Sequence, residues 1–500
     1  MNDDQIAGEP IPVTSRNRST TPTSDSFRSY IRQGWAEVSV ERGLLRDAAV
    51  FAQSRRARLS AAFEGKTVII PAGLQAVRAN DQYYTYRPHS GFAHLTAWGS
   101  DTVAGSILVL EPIVHGHRAI LFFRPSSGHD SDEFYANNEV GELWTGRRPT
   151  LQQVADELGI DTQSLDEFEQ ALEMWDGEMV VLRDADLPVT SLVDRRRRSV
   201  STRRDGELGM IPTDDDEHLA QVLSEMRLVK DAFEIAELRR AVAATQRGFD
   251  DVISQLRDCV GHDRGERLVE GVFYRRARVE GHGVGYETIV AAGPHACTLH
   301  WTRNDGPIRQ GDLLLLDAGV EVDSLYTADI TRTVPISGTF TDIQREVYDA
   351  VLEAADAARE AAKPGARFRD MHDAAMRVIA HHVSEWGLIP VSAEDALHGE
   401  AQHHRRFMIH GTGHHLGLDV HDCSRARQQV YLDGFLEPGM VFTIEPGLYF
   451  HEDDLSVPER FRGIGVRIED DVLLTEHGCE LLSADFPRTA REIERWMERA

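Results

Sequence analysis

The sequence contains no apolar run approaching the roughly 20 residues that span a bilayer. Its first residues, Met1-Asn-Asp-Asp4, lack the basic start and apolar stretch of a signal peptide. Cysteine is scarce, and the 4 cysteines lack the spacing of metal-binding pairs. Tandem repeats of roughly 20 to 50 residues are also absent. These absences argue against a membrane protein, a cysteine-ligated metal site and a repeat protein, and we expect a cytoplasmic protein with reduced thiols.

Basic residues are in the minority, with 54 Lys and Arg against 82 Asp and Glu, so the formal net charge is -28. Because phosphate groups would be repelled, this balance argues against nucleic acid and anionic membranes as partners. One run, residues 194–204, is nevertheless dense in arginine. It is compatible with an anion-binding patch, but in an acidic protein we favour a solvated face.

The length and composition predict more than one domain. A chain of 500 residues is long enough for two or three domains of about 150 residues each, and 41% hydrophobic residues permit a substantial core. Residues 1–35 are rich in Ser, Thr, Asn and Asp, which predicts a disordered or loose arm. Residues 36–215 alternate strand-like runs, such as 67–70 and 107–110, with helical stretches such as 151–158. This rhythm predicts an α/β domain.

A second domain is predicted over residues 225–490. The arginine run at 194–204 and the acidic residues 214–217 are interpreted as the end of the first domain and its linker. Farther along, predicted helices such as 231–256 and 340–362 flank antiparallel strands. The expected fold class is therefore mixed α/β (α+β). The first domain is expected to be α/β, and the second to have antiparallel strands flanked by helices.

Two aspartates stand in strand-like surroundings in the second domain. Asp317 ends the apolar run 313–316 and is followed by two small residues, a pattern typical of a buried strand that delivers a carboxylate into a cavity. Residues 327–334 alternate with a period of two, which places Asp329 on the same face as Thr331. We expect the two aspartates on adjacent strands.

Histidine and glutamate are concentrated farther along the chain. The histidine segment, His410-Gly-Thr-Gly-His-His-Leu-Gly-Leu-Asp-Val-His-Asp422, is denser in histidine and glycine than a core or a surface loop requires. Glu445 ends an apolar run and is followed by Pro and Gly, so its carboxylate is presented at a strand end. In the last segment, alternation places Arg467 and Glu469 on one face. An arginine beside such a carboxylate suits orientation of a metal ligand or anchoring of a substrate.

Each of these residues has an ordinary structural interpretation when it is taken alone. Asp317 or Asp329 would more often be a turn or cap carboxylate, and Arg467 a surface arginine. His415 we interpret as a pocket-wall or solvent residue, and Asp422, with Asp419, as structural. Taken together, the candidates supply what a two-metal hydrolase needs, because carboxylates both bridge two cations and neutralise their repulsion. They are four carboxylates and one imidazole: Asp317, Asp329, Glu445, Glu469 and His414.

The surrounding blocks resemble those of the pita-bread metallopeptidases, and most closely the bacterial Xaa-Pro aminopeptidases, also called aminopeptidase P. The resemblance is carried by the histidine segment and by Leu299-His-Trp-Thr-Arg-Asn304, Leu316-Asp-Ala-Gly319, Ala328-Asp-Ile-Thr-Arg-Thr333, Glu445-Pro-Gly-Leu-Tyr449 and Gly463-Ile-Gly-Val-Arg-Ile-Glu469. It extends more weakly into the amino-terminal region through Leu143-Trp-Thr-Gly-Arg-Arg148. Several motifs in one order are more specific than any single motif. One extra residue between Asp317 and Asp329 departs from the bacterial pattern, and a longer hairpin turn would absorb it.

The resemblance implies a curved antiparallel sheet flanked by helices, behind an α/β amino-terminal domain, and a site for two divalent metal ions. Asp317 would bind one ion, and Asp329 and Glu469 would bridge both. His414 and Glu445 would complete the second ion's coordination. Oxygen-rich ligation with a single imidazole favours Mn²⁺ over the thiol-rich sites typical of structural zinc.

The same resemblance implies the remaining site residues. His300, His410 and His421 would line the substrate pocket, with Arg467 against the ligands and the substrate chain. A water bridging two cations loses its proton near neutral pH, and the resulting hydroxide would attack the scissile carbonyl. Glu445 is our candidate to relay the proton, and His421 to stabilise the oxyanion. Since the nitrogen of an Xaa-Pro bond carries no hydrogen, selection for proline implies a shaped pocket, with His300 and His410 as walls.

The expected function is removal of the N-terminal residue from peptides with proline in the second position. The nearer alternative is a prolidase of the same fold, which accepts only Xaa-Pro dipeptides. From another class, the fold also resembles metal-free peptide- or histone-binding modules and creatine hydrolases, which lack several of the ligands. The resemblance further implies a homodimer or homotetramer in which the amino-terminal domain, through Trp144, limits access to a neighbouring site.

Overall fold

The computed structural model describes residues 20–36, 43–205 and 213–499. The chain divides into two compact units, Met1–Asp216 and Glu217–Ala500. Among the described residues, none of the helices combines the length and the apolar character that crossing a membrane requires.

The first unit contains a mixed five-stranded sheet and a separate two-stranded sheet. Its strands are β1 (Thr67–Pro71), β2 (Val77–Ala79), β3 (Gln82–Tyr83), β4 (Ile107–Pro112), β5 (His117–Phe123), β6 (Asp161–Ser164) and β7 (Met179–Val181). Strand β1 is antiparallel to β4 and parallel to β7, and β5 is antiparallel to β4 and parallel to β6. Ile69, Val109, Phe122 and Val181 are fully buried and form one core with Phe168. The predicted α/β character of this region is confirmed.

Eight helices of this unit accompany the sheet in the described residues. They are α1 (Asp25–Ile31), α2 (Asp47–Ala62), α3 (Ser90–Thr96), α4 (Glu133–Ala136), α5 (Glu142–Thr145), α6 (Leu151–Leu158), α7 (Phe168–Met174) and α8 (Leu187–Asp205). Helix α6 coincides with the predicted helix 151–158 and begins with a reciprocal capping box between Thr150 and Gln153. Helix α1 lies within the arm that was expected to be disordered or loose, so that part is ordered. Residues 1–19 of the arm lie outside the described residues.

The arginine run differs from its sequence-based interpretation. It lies within α8 and is helical rather than a linker. Arg196 is 1% exposed and donates to the carbonyl oxygen of Trp175 at 2.8 and 3.1 Å. Arg197 donates to both carboxylate oxygens of the buried Asp216, at 2.6 and 2.8 Å. The solvated-face interpretation is therefore wrong for these two arginines, because carboxylate and carbonyl acceptors draw them inward.

The second unit consists of antiparallel strands between long helices. Its strands are β8 (Gly283–Val284), β9 (Ile289–Ala292), β10 (Leu313–Ala318), β11 (Val320–Glu321), β12 (Ile330–Pro335), β13 (Val441–Ile444), β14 (Gly447–Phe450), β15 (Ile464–Arg467), β16 (Asp470–Thr475) and β17 (Gly478–Leu481). They form the sheets β12-β10-β9 and β13-β16-β17 and the pairs β8-β11 and β14-β15. Every one of these pairings is antiparallel.

The chain passes into the second unit within α9 (Asp214–Glu225). The later helices are α10 (Ala232–Cys259), α11 (Gly265–Glu280), α12 (Asp342–Ala361), α13 (Phe368–Glu385), α14 (Ala393–Leu397), α15 (Gln428–Tyr431) and α16 (Ala490–Met497). Helices α10 and α12 confirm the predicted helices at 231–256 and 340–362, and each begins with a capping box. Their buried residues recur at three- and four-residue intervals, as in Val347, Val351, Ala354 and Ala358, which packs one face of α12 inward.

Candidate metal centre

The two aspartates come from neighbouring strands, as the sequence predicted. Strands β10 and β12 pair antiparallel with Asp317 opposite Thr331, and Asp329 immediately precedes β12. Asp317 and Asp329 are both buried. A Cβ at Gly319 would lie 1.7 Å from the carbonyl oxygen of Ala328, so only glycine permits the backbones to approach this closely. The approach brings both carboxylates to the same cavity.

His414 and Glu445 reach that cavity because the histidine segment runs beside β13. The His414 N–H donates to Thr443 Oγ1 at 3.1 Å, and the Thr443 N–H donates to the His414 carbonyl at 2.9 Å. The Glu445 N–H donates to the carbonyl of Thr412 at 2.8 Å. As a result, His414 Nε2 lies 3.3 Å from Asp329 Oδ2 and 3.6 Å from Glu445 Oε1.

Glu469 is fixed against β12 from the other side. Its N–H donates to the carbonyl of Thr331 at 3.1 Å, and the Thr331 hydroxyl donates to its Oε2 at 2.7 Å. Ligand atoms of Asp329, His414 and Glu469 all lie within 4.8 Å of one another. This separation suits a shared cation, since carboxylate oxygens and an imidazole nitrogen coordinate at about 2 Å.

Arg467 is the one guanidinium against this acidic cluster among the residues lining the cavity. It donates to Asp317 Oδ2, to the Tyr449 hydroxyl at 3.1 Å and to the Thr331 hydroxyl at 3.2 Å. The pKa of Arg467 lies well above its ordinary value, since Tyr449, Asp317 and nearby glutamates outweigh the opposing effect of burial. Arg467 therefore stays charged, but one cation does not balance four carboxylates.

Burial together with the excess of negative charge raises the pKa values of three of the carboxyl groups. Burial, and then repulsion from Asp329, Glu445 and Asp317, holds the pKa of Glu469 well above its usual range. Burial raises the pKa of Glu445 to about 7, although His414 and Arg467 act in the opposite direction. Burial also raises the pKa of Asp317, against the influence of Arg467.

The pKa of His414 is raised by the same excess of negative charge. Burial alone would lower its pKa, but Asp329 and Glu445 raise it to about 9. The four carboxylates and the imidazole are therefore a donor set whose negative charge is not balanced by the protein. Two divalent cations would supply that charge, so these five residues fit the predicted metal site.

The remaining predicted residues line the same cavity, which has a volume of about 560 Å³. His410 Nε2 lies 2.8 Å from the Tyr449 hydroxyl, and burial followed by the charge of Arg467 lowers the His410 pKa to about 3. The His421 ring lies edge-on to His414 with centroids 4.4 Å apart, and burial and His414 lower the His421 pKa. His300 faces the cavity from the loop after β9. The structure thus brings together all nine predicted site residues.

Two tyrosines were missed by the sequence analysis. The Tyr286 hydroxyl lies 2.6 Å from Asp317 Oδ1 and 2.5 Å from Asp329 Oδ1, so it joins the two aspartates. Tyr286 stands outside every quoted motif, and its position depends on the pairing of β8 with β11. Tyr449 connects His410 to Arg467. Its place in the motif that follows Glu445 was the available signal.

Three other residues can now be placed. Asp422 is 1% exposed and accepts from Arg227 at 2.8 Å and from Lys230 at 3.0 Å, which agrees with a structural role. Asp419 accepts from Arg227 at 3.4 Å. The interpretation of His415 as a pocket-wall or solvent residue is wrong, because it is buried and stacks on Phe368 with ring centroids 4.7 Å apart.

Comparison with protein families accounts for both units. Residues 236–476 match the family model of metallopeptidase family M24. Residues 52–181 match the model of the aminopeptidase P N-terminal domain. Each match lies within one of the two compact units.

Curated relatives cover nearly the whole chain. Xaa-Pro aminopeptidase 1 of Streptomyces coelicolor is 47% identical over 497 residues, which cover 97% of this chain and 95% of the relative. The Xaa-Pro aminopeptidase of Escherichia coli is 33% identical over 458 residues, covering 89% of this chain and 97% of the relative. The solved structure of E. coli aminopeptidase P with the inhibitor Pro-Leu has a TM-score of 0.78 and 32% identity, and it covers 91% of this chain and 99% of that one.

Proposed function

The chain belongs to the aminopeptidase P group of metallopeptidase family M24, and from this membership we propose that it removes the N-terminal residue from peptides with proline in the second position. It is a hydrolase by family. The observation that carries the proposal is the convergence of five ligand-type side chains on one cavity that pocket histidines also line. Cytoplasmic location and a homodimeric or homotetrameric state stay predictions.

The residues proposed to hold two divalent metal ions are Asp317, Asp329, His414, Glu445 and Glu469. Mn²⁺ is our preferred metal, because four of the five donors are carboxylates. When bound, such a pair would supply a water that loses its proton near neutral pH, and positive charge beside the substrate carbonyl.

The chain's own groups then have distinct tasks. Glu445, with its pKa raised to about 7, is suited to accept and return a proton near neutral pH. His421 projects from the loop after His414 and is the proposed donor to the carbonyl oxygen as it becomes negative. Its lowered pKa keeps the imidazole neutral at pH 7, so it donates a hydrogen bond without adding charge.

Recognition of proline is assigned to the histidines and apolar side chains that line the cavity. The cavity combines His300 and His410 with the apolar side chains of Ile289, Leu299 and Val420. An apolar wall suits a pyrrolidine ring, which offers no N–H donor. The surplus of carboxylates would attract the free amine of the substrate, and Asp317 is the proposed partner.

A peptide panel with added Mn²⁺ tests this function. Matched Xaa-Pro-Xaa, Xaa-Ala-Xaa and Xaa-Pro substrates are incubated with the protein, and products are identified by mass spectrometry. We expect release of the first residue from Xaa-Pro-Xaa and little cleavage of Xaa-Ala-Xaa. Cleavage confined to the Xaa-Pro dipeptide would instead identify a prolidase.

Metal analysis of the same preparation gives the second readout. We expect about two ions per chain and loss of activity after chelation, with recovery on addition of Mn²⁺. Full activity after exhaustive chelation, with metal content checked, would contradict the metal mechanism. Substitution of Co²⁺, Fe²⁺ or Zn²⁺ would rank the preference for Mn²⁺.

A further inference from the structure

Glu266 is a fully buried carboxylate outside the metal centre. It stands in the first turn of α11 and is 0% exposed. Its Oε1 accepts from the Ala292 N–H at 2.9 Å and lies 2.7 Å from His295 Nδ1. Its Oε2 accepts from Trp301 Nε1 at 2.9 Å and from the Gly306 N–H at 2.7 Å. Three N–H groups and the His295 imidazole lie at hydrogen-bond distance from one carboxylate, and together they fill its roughly four acceptor positions.

These donors all come from β9 and the loop that follows it, residues 293–306. Trp301 turns its indole toward Glu266, whereas its neighbours His300 and Thr302 turn toward the cavity. The His295 ring stacks on Trp301 with centroids 3.9 Å apart, and the Arg303 guanidinium lies 4.7 Å from the indole centroid. The side of the loop opposite the cavity is therefore fixed around Glu266.

The backbone of this loop is held at its far end as well. Asn304 is buried; its Oδ1 accepts from the Val290 N–H and its Nδ2 donates to the Thr288 carbonyl, each at 2.9 Å. At Gly306 a Cβ would lie 2.4 Å from His295 Cε1, so glycine is needed for the N–H to reach Glu266. Both connections restrict where the backbone of His300 can lie.

His300 itself depends on that backbone. In the part of the chain that the structure describes, the His300 imidazole has no hydrogen-bond partner, and the side chain is exposed to the cavity. Its position is therefore set by the loop backbone and not by hydrogen bonds of the ring. A small shift of the loop would move this wall of the pocket without moving the carboxylates. These come from β10, from the residues just before β12 and just after β13, and from the segment after β15.

We propose that Glu266 is a positioning residue that holds the His300 wall and so sets recognition of the substrate residue that follows the scissile bond. The inference rests on the proposed function, because the ligand of this wall is the proline of an Xaa-Pro peptide. It assigns to Glu266 an effect on substrate affinity and not on the chemical step.

The Glu266→Gln variant tests the assignment. The amide keeps the size of the side chain but turns one acceptor oxygen into an NH₂ group that faces two donors. A buried donor that loses its acceptor oxygen on residue 266 holds the loop less well. The loss of such a hydrogen bond corresponds to about a tenfold change in the equilibrium constant for the loop position. We expect KM for an Xaa-Pro-Xaa peptide to rise about tenfold, kcat to change less than about twofold, and metal content to stay the same. Glu346→Gln, an exposed glutamate of α12, is the matched control.

Trp301→Phe gives a second variant and an optical readout. It removes one donor to Glu266 and keeps the aromatic ring, so we expect a smaller rise in KM than in Glu266→Gln. The difference between the emission spectra of the parent protein and Trp301→Phe isolates the indole of Trp301. We expect that contribution to shift and to become more accessible to acrylamide in Glu266→Gln, but not in Glu346→Gln.

A double variant with His300→Ala separates positioning from general stability. If Glu266 acts through His300, adding Glu266→Gln to His300→Ala leaves KM unchanged, and additive effects would overturn the proposal. An equal fall in kcat and kcat/KM, or unchanged KM and unchanged Trp301 emission, would also overturn it. Failure of the parent protein and Glu346→Gln to cleave Xaa-Pro peptides would refute the proposed function instead.

Discussion

At the scale of single residues, the metal centre is defined by acidic groups that share one buried cavity with too little positive charge. Arg467 pairs directly with Asp317, but Asp317, Glu445 and Glu469 all retain raised pKa values. Such a group is costly to bury unless a cation is bound there. The arrangement is therefore suited to binding cations and poorly suited to supporting the fold alone.

Glu445→Gln is predicted to remove activity while keeping the fold. The amide cannot accept a proton, and general acid–base groups contribute about 10² to 10⁴ in rate. We expect kcat/KM for an Xaa-Pro-Xaa peptide to fall at least about 100-fold, measured with Mn²⁺ in excess. Glu437→Gln, the same change at an exposed glutamate, serves as control and retains full activity. A loss below about tenfold would rule out Glu445 as the proton carrier.

The sequence indicated residues that stand out in a local pattern and missed residues whose contacts come from distant segments. Asp317 and Glu445 interrupt or end apolar runs, and that local contrast is visible without a structure. Tyr286 contacts both aspartates only because β8 pairs with β11. His415 is adjacent to His414, but it packs on Phe368 and β13 instead of facing the cavity. Contacts between distant segments decided both cases.

At the scale of structural elements, the histidine segment is anchored at both ends. Its beginning follows β13 through Thr412 and Thr443. Its end is fixed by Asp422, which accepts from Arg227 and Lys230 in the segment between α9 and α10. Lys230 is 4% exposed, so this ion pair lies inside the protein. The anchor holds the loop that presents His421.

Asp422→Asn is predicted to destabilise the second unit strongly. Removing one partner of a buried ion pair leaves uncompensated charge, which costs about 3 to 5 kcal/mol. We expect that decrease in the free energy of unfolding, measured by urea denaturation near pH 7. Asp433→Asn, at a more exposed pair with Arg369, is expected to cost less than about 1 kcal/mol. Similar losses in the two variants would argue against a buried anchor.

The same ion pair predicts how stability depends on pH. Burial would raise the pKa of Asp422, but Lys230 and Arg227 hold it well below its usual range. A depressed folded-state pKa means that the unfolded chain binds more protons, so the contribution is present above the unfolded value of about 3.9 and is lost progressively as pH falls from that value through the folded-state pKa. Unfolding measured from about pH 7 to about pH 3 should show the beginning of this loss, below about pH 4, in the parent protein and not in Asp422→Asn.

Elements were predictable where their pattern was local. The capping box and period of α12 were visible in the sequence, as were the apolar run of β10 and the alternation before Glu469. The solvated-face interpretation of the arginine run is wrong for Arg196 and Arg197, because charge alone does not reveal partners, whereas Arg195 and Arg198 are exposed. Arg196 becomes buried, and Arg197 largely shielded, only when carbonyl and carboxylate groups of other elements reach them.

At the scale of the whole molecule, the expected fold class is confirmed. The α/β first unit and the antiparallel second unit correspond to the matched aminopeptidase P N-terminal domain and M24 metallopeptidase. The domain limits 36–215 and 225–490 stay predictions, since the family matches cover shorter ranges. How two copies of the chain assemble also stays a prediction.

Divalent metal is predicted to stabilise the whole protein, and more so at higher pH. In the metal-free protein the folded-state pKa values of Glu445 and His414, about 7 and about 9, exceed their ordinary values. The folded state then binds more protons, so its stability falls as pH rises through this range. Ligands bound to metal are deprotonated, so metal affinity should rise with pH. We expect a lower Tm without metal, and a larger increase on adding Mn²⁺, at about pH 8.5 than at about pH 6.

Scanning fluorimetry of chelated protein, with and without Mn²⁺, measures this linkage. Glu445→Gln lacks one of the titrating groups and is expected to show a smaller difference between the two pH values. Asp433→Asn should follow the parent protein. A Mn²⁺-induced rise in Tm that is larger at the lower pH would contradict the prediction.

The sequence by itself indicated the candidate site residues and their order, the two-part organisation and the family, because motifs, periodicity and composition are local properties of the chain. Tertiary structure decided which groups became partners. The Tyr286 hydroxyl contacts both aspartates, and Glu266 accepts hydrogen bonds from the loop of His300. Asp422 forms a buried ion pair with Lys230. These contacts join residues that are far apart along the chain, and burial makes each of them energetically important, so no local pattern specifies them.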